Sequence, residues 1–395
     1  MFPKLRFKEF DDDWSPYVLK DFVSFRKGKG ISKADISENG INECIRYGEL
    51  YTTYGQVIDH IHSKTNVSKS ECILSKAGDV IIPASGETQI DIATASCVLH
   101  DDIILSGDLN ILSHEENGSW LAYYLSSAKK LEIAQLAQGN SVVHLYSSQL
   151  KDLKINKPSK EEQTKIASFL SAVDEKISQL TKKHELLSQY KQGMMQKLFS
   201  QQLRFKADDG SEFGEWEDKK LGEISKTFSG GTPQSSNKSF YEGTIPFIKS
   251  GEISKNTTEQ CINDLALEKS SAKLVKKGDL LYALYGATSG QVAISQIDGA
   301  INQAVLCIRS ELNTKYLLNF LLLKKEEILT TYLQGGQGNL SASILKEIYI
   351  PTPCLAEQTK IANFLSAIDQ KIEVVAQQIE QAKTWKKGLL QQMFI

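Results

Sequence analysis

EQTKIASFLSAVDEKI runs from Glu162 to Ile177, and EQTKIANFLSAIDQKI runs from Glu357 to Ile372. Thirteen of the sixteen positions are identical; Ser168, Val173 and Glu175 become Asn363, Ile368 and Gln370. The offset of 195 residues, from 162 to 357, holds without a gap as far as Phe199, which matches Phe394. Each copy carries a seven-residue pattern. Ile166, Val173, Leu180, Leu187 and Met194 form one row in the first copy, beside Leu170, Ile177, His184, Lys191 and Leu198. The second copy gives Ile361, Ile368, Val375, Ala382 and Leu389, beside Leu365, Ile372, Ile379, Lys386 and Met393. Apolar residues at 3–4 spacing over five heptads predict a long helix with a coiled-coil seam, roughly 55 Å long at 1.5 Å per residue. One such helix exposes a stripe that it cannot bury alone. Two in one chain can bury each other's, which predicts an intramolecular pair; two core helices of one ordinary domain are the plainer alternative.

Outward from the repeat, the chain divides into a globular half at 1–158, a helix at 159–200, a second half at 201–353 and a second helix at 354–395. The halves share landmarks. Leu5-Arg6-Phe7 before Trp14 is echoed by Leu203-Arg204-Phe205 before Trp216, and Leu19-Lys20-Asp21-Phe22 by Leu221-Gly222-Glu223-Ile224. Lys76-Ala77-Gly78-Asp79 corresponds to Lys276-Lys277-Gly278-Asp279, and Leu150–Ile155 to Leu345–Ile350, with Pro158 over Pro353. The halves read as one fold with two diverged surfaces.

Within each half the pattern is mixed. Val80-Ile-Ile-Pro, Cys97-Val-Leu-His, Leu280-Leu-Tyr-Ala-Leu, Gln291-Val-Ala-Ile and Ala304–Arg309 read as short strands. Trp120–Ala137 and Thr314–Leu333 read as helices. Pro158 and Pro353 precede the long helices, where a fixed φ and a missing N–H cost little, and Ser159 is an N-cap candidate. The expected class is α/β (α+β), each half with a mostly antiparallel, curled sheet.

The 395 residues, 41% hydrophobic and 24% charged, are those of a globular protein with two or three domains. The most apolar stretch, Tyr316–Leu323, is too short to span a bilayer, and the N-terminus lacks a signal peptide's apolar core. Six scattered cysteines without a CxxC pair fit a reducing cytoplasm, so a cytoplasmic protein without structural zinc is expected. The net charge of −2 does not by itself point to a nucleic-acid binder, yet Lys269, Lys273, Lys276 and Lys277 cluster, as do basic residues after Arg26. Local patches can bind DNA on a neutral chain.

Enzyme motifs are missing. There is no GxxxxGK[ST], no HExxH, no GxSxG and no Asn/Asp-Pro-Pro-aromatic motif. Gly335-Gly-Gln-Gly-Asn stands before a short strand rather than at a strand-to-helix turn, the context a dinucleotide site needs. His60 and His62 beside Asp59 read as a solvated pair rather than a metal site. No catalytic and no metal-ligating residue is assigned. Binding chemistry is better represented, in loops of Gly, Ser, Thr, Gln and Tyr beside Lys and Arg. The candidates in the first half are Arg26, Lys27, Lys29, Lys33, Tyr47, Tyr51, Tyr54, Ser85, Glu87, Thr88 and Gln89. Those in the second are Thr232, Gln234, Ser235, Lys238, Lys249, Ser250, Tyr285, Thr288, Ser289, Gln337 and Asn339.

Over its whole length the chain resembles the specificity subunit of a Type I restriction-modification enzyme. The resemblance rests on the duplicated helices, on RKGKGISKADI from Arg26 and IRYGELYTTYG from Ile45, and on SGGTPQ from Ser229. It rests also on IPFIKSGEI from Ile245, GDLLYALYGATSG from Gly278 and NQAVL from Asn302. It implies two target recognition domains separated by two long helices that pair as an antiparallel intramolecular coiled coil. It further implies a non-catalytic subunit that reads a bipartite target in double-stranded DNA. Two methyltransferase subunits would dock on the helices and motor-nuclease subunits would join them. S-adenosylmethionine, ATP and Mg would then serve the partners, with no cofactor on this chain. Met194, Leu198, Phe199, Leu389, Met393 and Phe394 are candidates for exposed apolar docking surface. Two other readings stay open: a coiled-coil adaptor whose halves bind proteins, and the recognition subunit of a related enzyme with cleavage and methylation fused in its partner.

Overall fold

The computed structural model describes residues 3–139, 142–333 and 340–394. The repeated sequence forms two 40-residue helices, Lys160–Phe199 and Leu355–Phe394, each about 60 Å long. Ser159 caps the first: its Oγ accepts the N–H of Glu162 at 3.3 Å. No helix among the described residues is long and apolar enough to cross a membrane.

The chain folds into two compact units, and both divisions fall inside the long helices. The first unit is Met1–Thr181 with Gln377–Ile395, and the second is Lys182–Ala376. Each globular half therefore shares its unit with the start of one long helix and the end of the other. In the first unit Ile166, Leu170 and Val173 enter one core with Leu389, Met393 and Phe394. The helix segments there pack side by side: Phe169 packs edge-on against Trp385 at 6.0 Å, and Lys386 Nζ lies 2.6 Å from Asp174 Oδ1. The second unit repeats this with Ile361, Leu365 and Ile368 beside Met195 and Leu198, and Lys191 Nζ is 2.6 Å from Asp369 Oδ1. Within each unit the heptad rows are buried or half-buried, as a seam requires.

This packing corrects the expected docking surface. Leu198, Leu389, Met393 and Phe394 are buried, while Met194 and Phe199 pack, partly buried, on the second unit's core. Phe394 lies against Trp14 and Tyr124, and Phe199 against Tyr316 and Phe320. The helix ends are apolar because they complete the cores of the globular halves, where each large side chain contributes about 1.5–3 kcal/mol.

The glutamate and glutamine that open both copies of the repeat fasten each helix to its half. Glu162 receives two bonds of 2.7 Å from Arg6, and Glu357 receives bonds of 3.1 and 2.8 Å from Arg204. Gln163 accepts the N–H of Asn117 at 3.0 Å, and Gln358 that of Asn313 at 2.8 Å. Both asparagines in turn accept N–H groups from the first turn of a core helix, at Trp120 and Tyr316. Those helices are Gly118–Ser127 and Thr314–Leu333. In the first half the expected helix breaks in two, resuming as Lys130–Leu136. Ser126 bonds Ala95 and Ser127 bonds back to Tyr123 O at the break, hydroxyl contacts that compete with a continuing helix.

Besides two-stranded pairs, each half holds two sheets of four or five strands, mostly antiparallel. The larger sheet of the first unit has the strand order Ser24–Lys27, Leu109–Ser113, Val80–Pro83, Ser96–Val98, Val57–Ile58, with only the last pair parallel. Its counterpart in the second unit runs Ser225–Ser229, Val305–Ser310, Leu280–Ala283, Val292–Ile294, all antiparallel. The smaller sheets each have one parallel central pair: Asn42–Ile45 with Ile104–Leu105, and Ile245–Ile248 with Gly299–Ile301. A second sheet fits above the first because the chain crosses it at bare backbone. A Cβ on Gly28 would sit 1.9 Å from Ser106 O, and one on Gly230 would sit 1.7 Å from Ile301 O.

Candidate nucleic-acid interface

The turn after the first strand of each smaller sheet builds the same device twice. Arg46-Tyr47-Gly48-Glu49 and Lys249-Ser250-Gly251-Glu252 each end in a buried glutamate. Glu49 accepts the N–H of Arg46 at 2.8 Å, and Glu252 accepts that of Lys249 at 3.1 Å. Glu49 also holds the Arg46 guanidinium at 2.9 Å and receives the Ser63 hydroxyl. The backbone of Tyr47 is pinned by Ser106 Oγ at 3.2 Å.

In the first unit this turn borders a cleft of about 530 Å³. Of the sequence candidates, Lys33, Tyr47, Tyr51 and Glu87 meet there. Arg46, Glu49 and Asp108 line it as well, and sequence reading missed them; aligning IRYGEL (45–50) with IKSGEI (248–253) would have exposed the device. Two half-exposed tyrosine hydroxyls, a free lysine ammonium and the carboxylates of Glu87 and Asp108 offer donors and acceptors together. Burial raises the Tyr51 phenol above its ordinary value, which keeps it protonated as a donor. Such a mixed set suits base edges better than a phosphate trough.

In the second unit the turn meets the loop that follows strand Leu280–Ala283. A Cβ on Gly251 would lie 4.0 Å from Thr288 Cγ2, which brings Lys249 and Ser250 beside Thr288 and Ser289. Ser289 Oγ bonds its own loop at Leu284 O (3.1 Å), whereas Thr288 Oγ1 is buried without a partner. Tyr285 is half-buried on the core. Thr232 bonds Gln303 Oε1 at 2.6 Å, and Gln234, Ser235 and Lys238 are exposed on the same loop. Gln337 and Asn339 lie outside the described residues.

Other candidates serve the scaffold. Arg26 is tied to the sheet: its guanidinium pairs with Asp79 and bonds Leu74 O and Ser113 Oγ. Asp79 also closes the Lys76–Asp79 turn by accepting the N–H of Lys76 at 2.8 Å. In the second half Asp279 does the same for Lys276 and pairs with Arg309 at 3.0 and 2.7 Å. Ser85 is buried on His144 Nδ1 at 3.1 Å, and the Tyr54 hydroxyl accepts the His62 N–H at 2.9 Å. Desolvation pushes the Tyr54 phenol up to about 12. Thr88 caps the short helix Gln89–Ile92 through the Asp91 N–H, and Gln89 reaches Ala137 O at 3.5 Å. Lys27 and Lys29 are exposed. Among the described residues no group of three or more His, Cys, Asp or Glu is arranged to hold a metal. The cysteines are unpaired, and burial lifts Cys44 and Cys97 to about 11 and Cys307 to about 12.

The family model for the Type I restriction modification DNA specificity domain matches this chain twice, over residues 11–188 and 214–384. The Type I restriction enzyme MjaVIII specificity subunit of Methanocaldococcus jannaschii is 27% identical over 403 residues, covering 96% of this chain and 91% of that protein. The EcoR124I/EcoR124II specificity subunit of Escherichia coli is 27% identical over 168 residues, 40% of this chain and 41% of its own length. The crystal structure of the S subunit from M. genitalium superposes with a TM-score of 0.65 at 17% identity, covering 100% of this chain and 99% of that one. A chain from a structure of complex assembly and conformational transition in the type I R-M system gives a TM-score of 0.59 at 18% identity, covering 97% and 98%. Two copies of the family domain, each carrying the same turn in its own compact unit, place this chain in the Type I restriction-modification DNA specificity family.

Proposed function

We propose that the two globular halves each read one part of a bipartite DNA target, and that the long helices fix the gap between the parts and dock methyltransferase subunits. The observation that carries this reading is the duplicated Arg46–Glu49 and Lys249–Glu252 turn, with different side chains around a common frame. One frame holding Tyr47 and Tyr51 in one half, and Ser250 and Thr288 in the other, suits two readers of different sequence. Base edges in the major groove are distinguished by their donor and acceptor pattern, while exposed lysines such as Lys27, Lys29 and Lys238 neutralise phosphates without reading sequence. Two weak half-sites joined in one chain gain affinity through effective concentration when the spacing of the target suits the protein.

Catalysis belongs to the partners in this reading. The methyltransferase subunits bring S-adenosylmethionine and flip the adenine out of the duplex, and motor-nuclease subunits use ATP and Mg for cleavage. The work of this chain is to choose the place. Single-molecule methylation sequencing of DNA from cells expressing the chain with its cognate methyltransferase subunit tests it. A split motif with methyladenine in both parts, absent without this chain, is expected. A complex that forms yet adds no modification overturns the DNA-reading role in favour of an adaptor. Four residues inserted after Leu180 are expected to lengthen the gap while leaving both parts of the motif unchanged, and an unaltered gap removes the ruler.

A further inference from the structure

The two units carry different side chains at equivalent points of one frame. Strands Val80–Pro83 and Leu280–Ala283 correspond, and the residue after each donates its N–H to the start of the neighbouring strand. Ala84 donates to Asp108 O at 2.9 Å, and Leu284 donates to Ala304 O at 2.8 Å. Asp108 and Ala304 therefore hold the same place. Three residues beyond the two donors stand Glu87 and Ala287, each followed by a threonine. Both carboxylates of the first half are thus methyl groups in the second. Asp108 and Glu87 line the cleft of about 530 Å³ together with Lys33. Among the described residues none of these three side chains has a hydrogen-bond or ion-pair partner, whereas Arg46 and Glu49 in the same cleft neutralise each other.

A carboxylate without a partner is repelled by the phosphates of DNA, so binding tolerates it only where a donor on the DNA offsets the repulsion. At the major-groove edge, amino groups are found on cytosine (N4) and adenine (N6) alone. Adenine sets its N7 acceptor beside the amine, so a carboxylate there meets a lone pair, and an amide is the better match. Cytosine shows the amine without an acceptor of its own beside it. Its partner guanine shows O6 and N7, which suit a lysine. We infer, on the premise that the first half reads DNA as proposed, that its cleft selects a C·G base pair, with Asp108 accepting from the cytosine amine and Lys33 donating to the guanine. Asp108 makes the choice rather than Glu87, because it is half-buried with its backbone held by Ala84, while Glu87 is exposed. With Ala304 and Ala287 at the same points, the second half lacks this selection.

Methylation sequencing with the full chain and its cognate methyltransferase subunit tests the choice position by position. The wild-type motif is expected to hold a C·G pair in one of its parts. Asp108→Ala should relax that position, with discrimination against other pairs falling on the order of tenfold, and leave the other part unchanged. Asp108→Asn should shift the position toward adenine, which an amide reads through N6 and N7. The Asp108 side chain bonds nothing within the described chain, so both variants are expected to melt with the wild type. Binding gives a second measurement. A duplex with 2-pyrimidinone in place of that cytosine lacks only the amine; the wild-type complex should lose roughly tenfold in affinity for it, and the Asp108→Ala complex none. Equal losses in the two complexes overturn the choice, whatever the variants do to methylation. A split motif identical in the wild type and both variants also overturns it, and leaves the DNA-reading role standing. A wild-type complex that adds no modification overturns that role itself, and the choice with it.

Discussion

Replacing Arg204 with methionine isolates the junction between the second globular half and its helix. Glu357 is 0% exposed, and its carboxylate is held by Arg204 Nε at 3.1 Å, Arg204 Nη2 at 2.8 Å and Trp216 Nε1 at 2.8 Å. Methionine keeps much of the stem's volume but removes the charge, leaving a buried carboxylate with the indole alone. Breaking a buried pair from one side costs about 3–5 kcal/mol. Glu357 is the third residue of Leu355–Phe394, so the positive end of the helix dipole returns about 0.3–1 kcal/mol. A net loss of about 2–4 kcal/mol remains, which for a unit of this size lowers Tm on the order of 10 °C. The double variant Arg204→Met/Glu357→Leu removes both charges and should lie within about 1 kcal/mol of the wild type. Calorimetry gives the magnitude, and hydrogen exchange resolved by peptide should place the loss in Lys182–Ala376, the second unit. Arg6→Met should act on the first unit instead, because Arg6 holds the equally buried Glu162. It should cost at least as much, since Trp14 Nε1 gives Glu162 no bond. A loss below about 1 kcal/mol for Arg204→Met, or a double variant no better than the single, would refute the assignment.

The remaining expectations concern the turns and the cleft. Gly78 and Gly278 have φ of 92° and 97°, and a Cβ on either meets nothing within 4 Å. Alanine at either should nevertheless cost about 1–2 kcal/mol through the left-handed backbone alone, read as a lower urea midpoint; an unchanged midpoint would show that the turn relaxes. Burial works to raise the Asp279 carboxyl, but its bonds from Arg309 and Lys276 outweigh this and hold it below its ordinary value. A depressed folded value means that this stability is present above the unfolded carboxylate pKa, about 3.9, and is lost as pH falls through the lower folded value. Urea midpoints between pH 5 and 2 should fall less steeply in Arg309→Met, and parallel curves would refute the role of the pair. Glu49→Gln frees Arg46 from its buried anchor, so methylation sequencing should show relaxed preference in the first unit's part of the motif with the other part unchanged. An intact motif would place the reading elsewhere.

The repeat was legible because a coiled-coil seam writes itself into sequence at a fixed period, whatever surrounds it. So were the strands Val80–Pro83, Leu280–Ala283 and Val305–Ser310, whose apolar runs need no distant partner to be recognised. The ion pair of Arg26 was not legible because charge shows in sequence and pairing does not: Asp79, fifty-three positions away, holds it. Met393 and Phe394 were misjudged for the complementary reason. An apolar helix end reads as free surface until the half that it caps is seen, and that half begins near Trp14, at the far end of the chain.

By itself the sequence determined that the chain is duplicated, that its helices are long, and that the Gly-Asp and EQ positions recur at matching places. These are properties of local backbone preference and periodicity, which act within a few turns. Only the tertiary structure decided which stretches share a compact unit. Burial of helix ends and pairing of charges depend on partners hundreds of residues apart, so each unit joins one globular half to pieces of both helices. The same holds for the cleft of Lys33, Tyr47, Tyr51 and Glu87. Its side chains come from four separate stretches of chain, which meet because the smaller sheet crosses the larger at Gly28, where no Cβ fits.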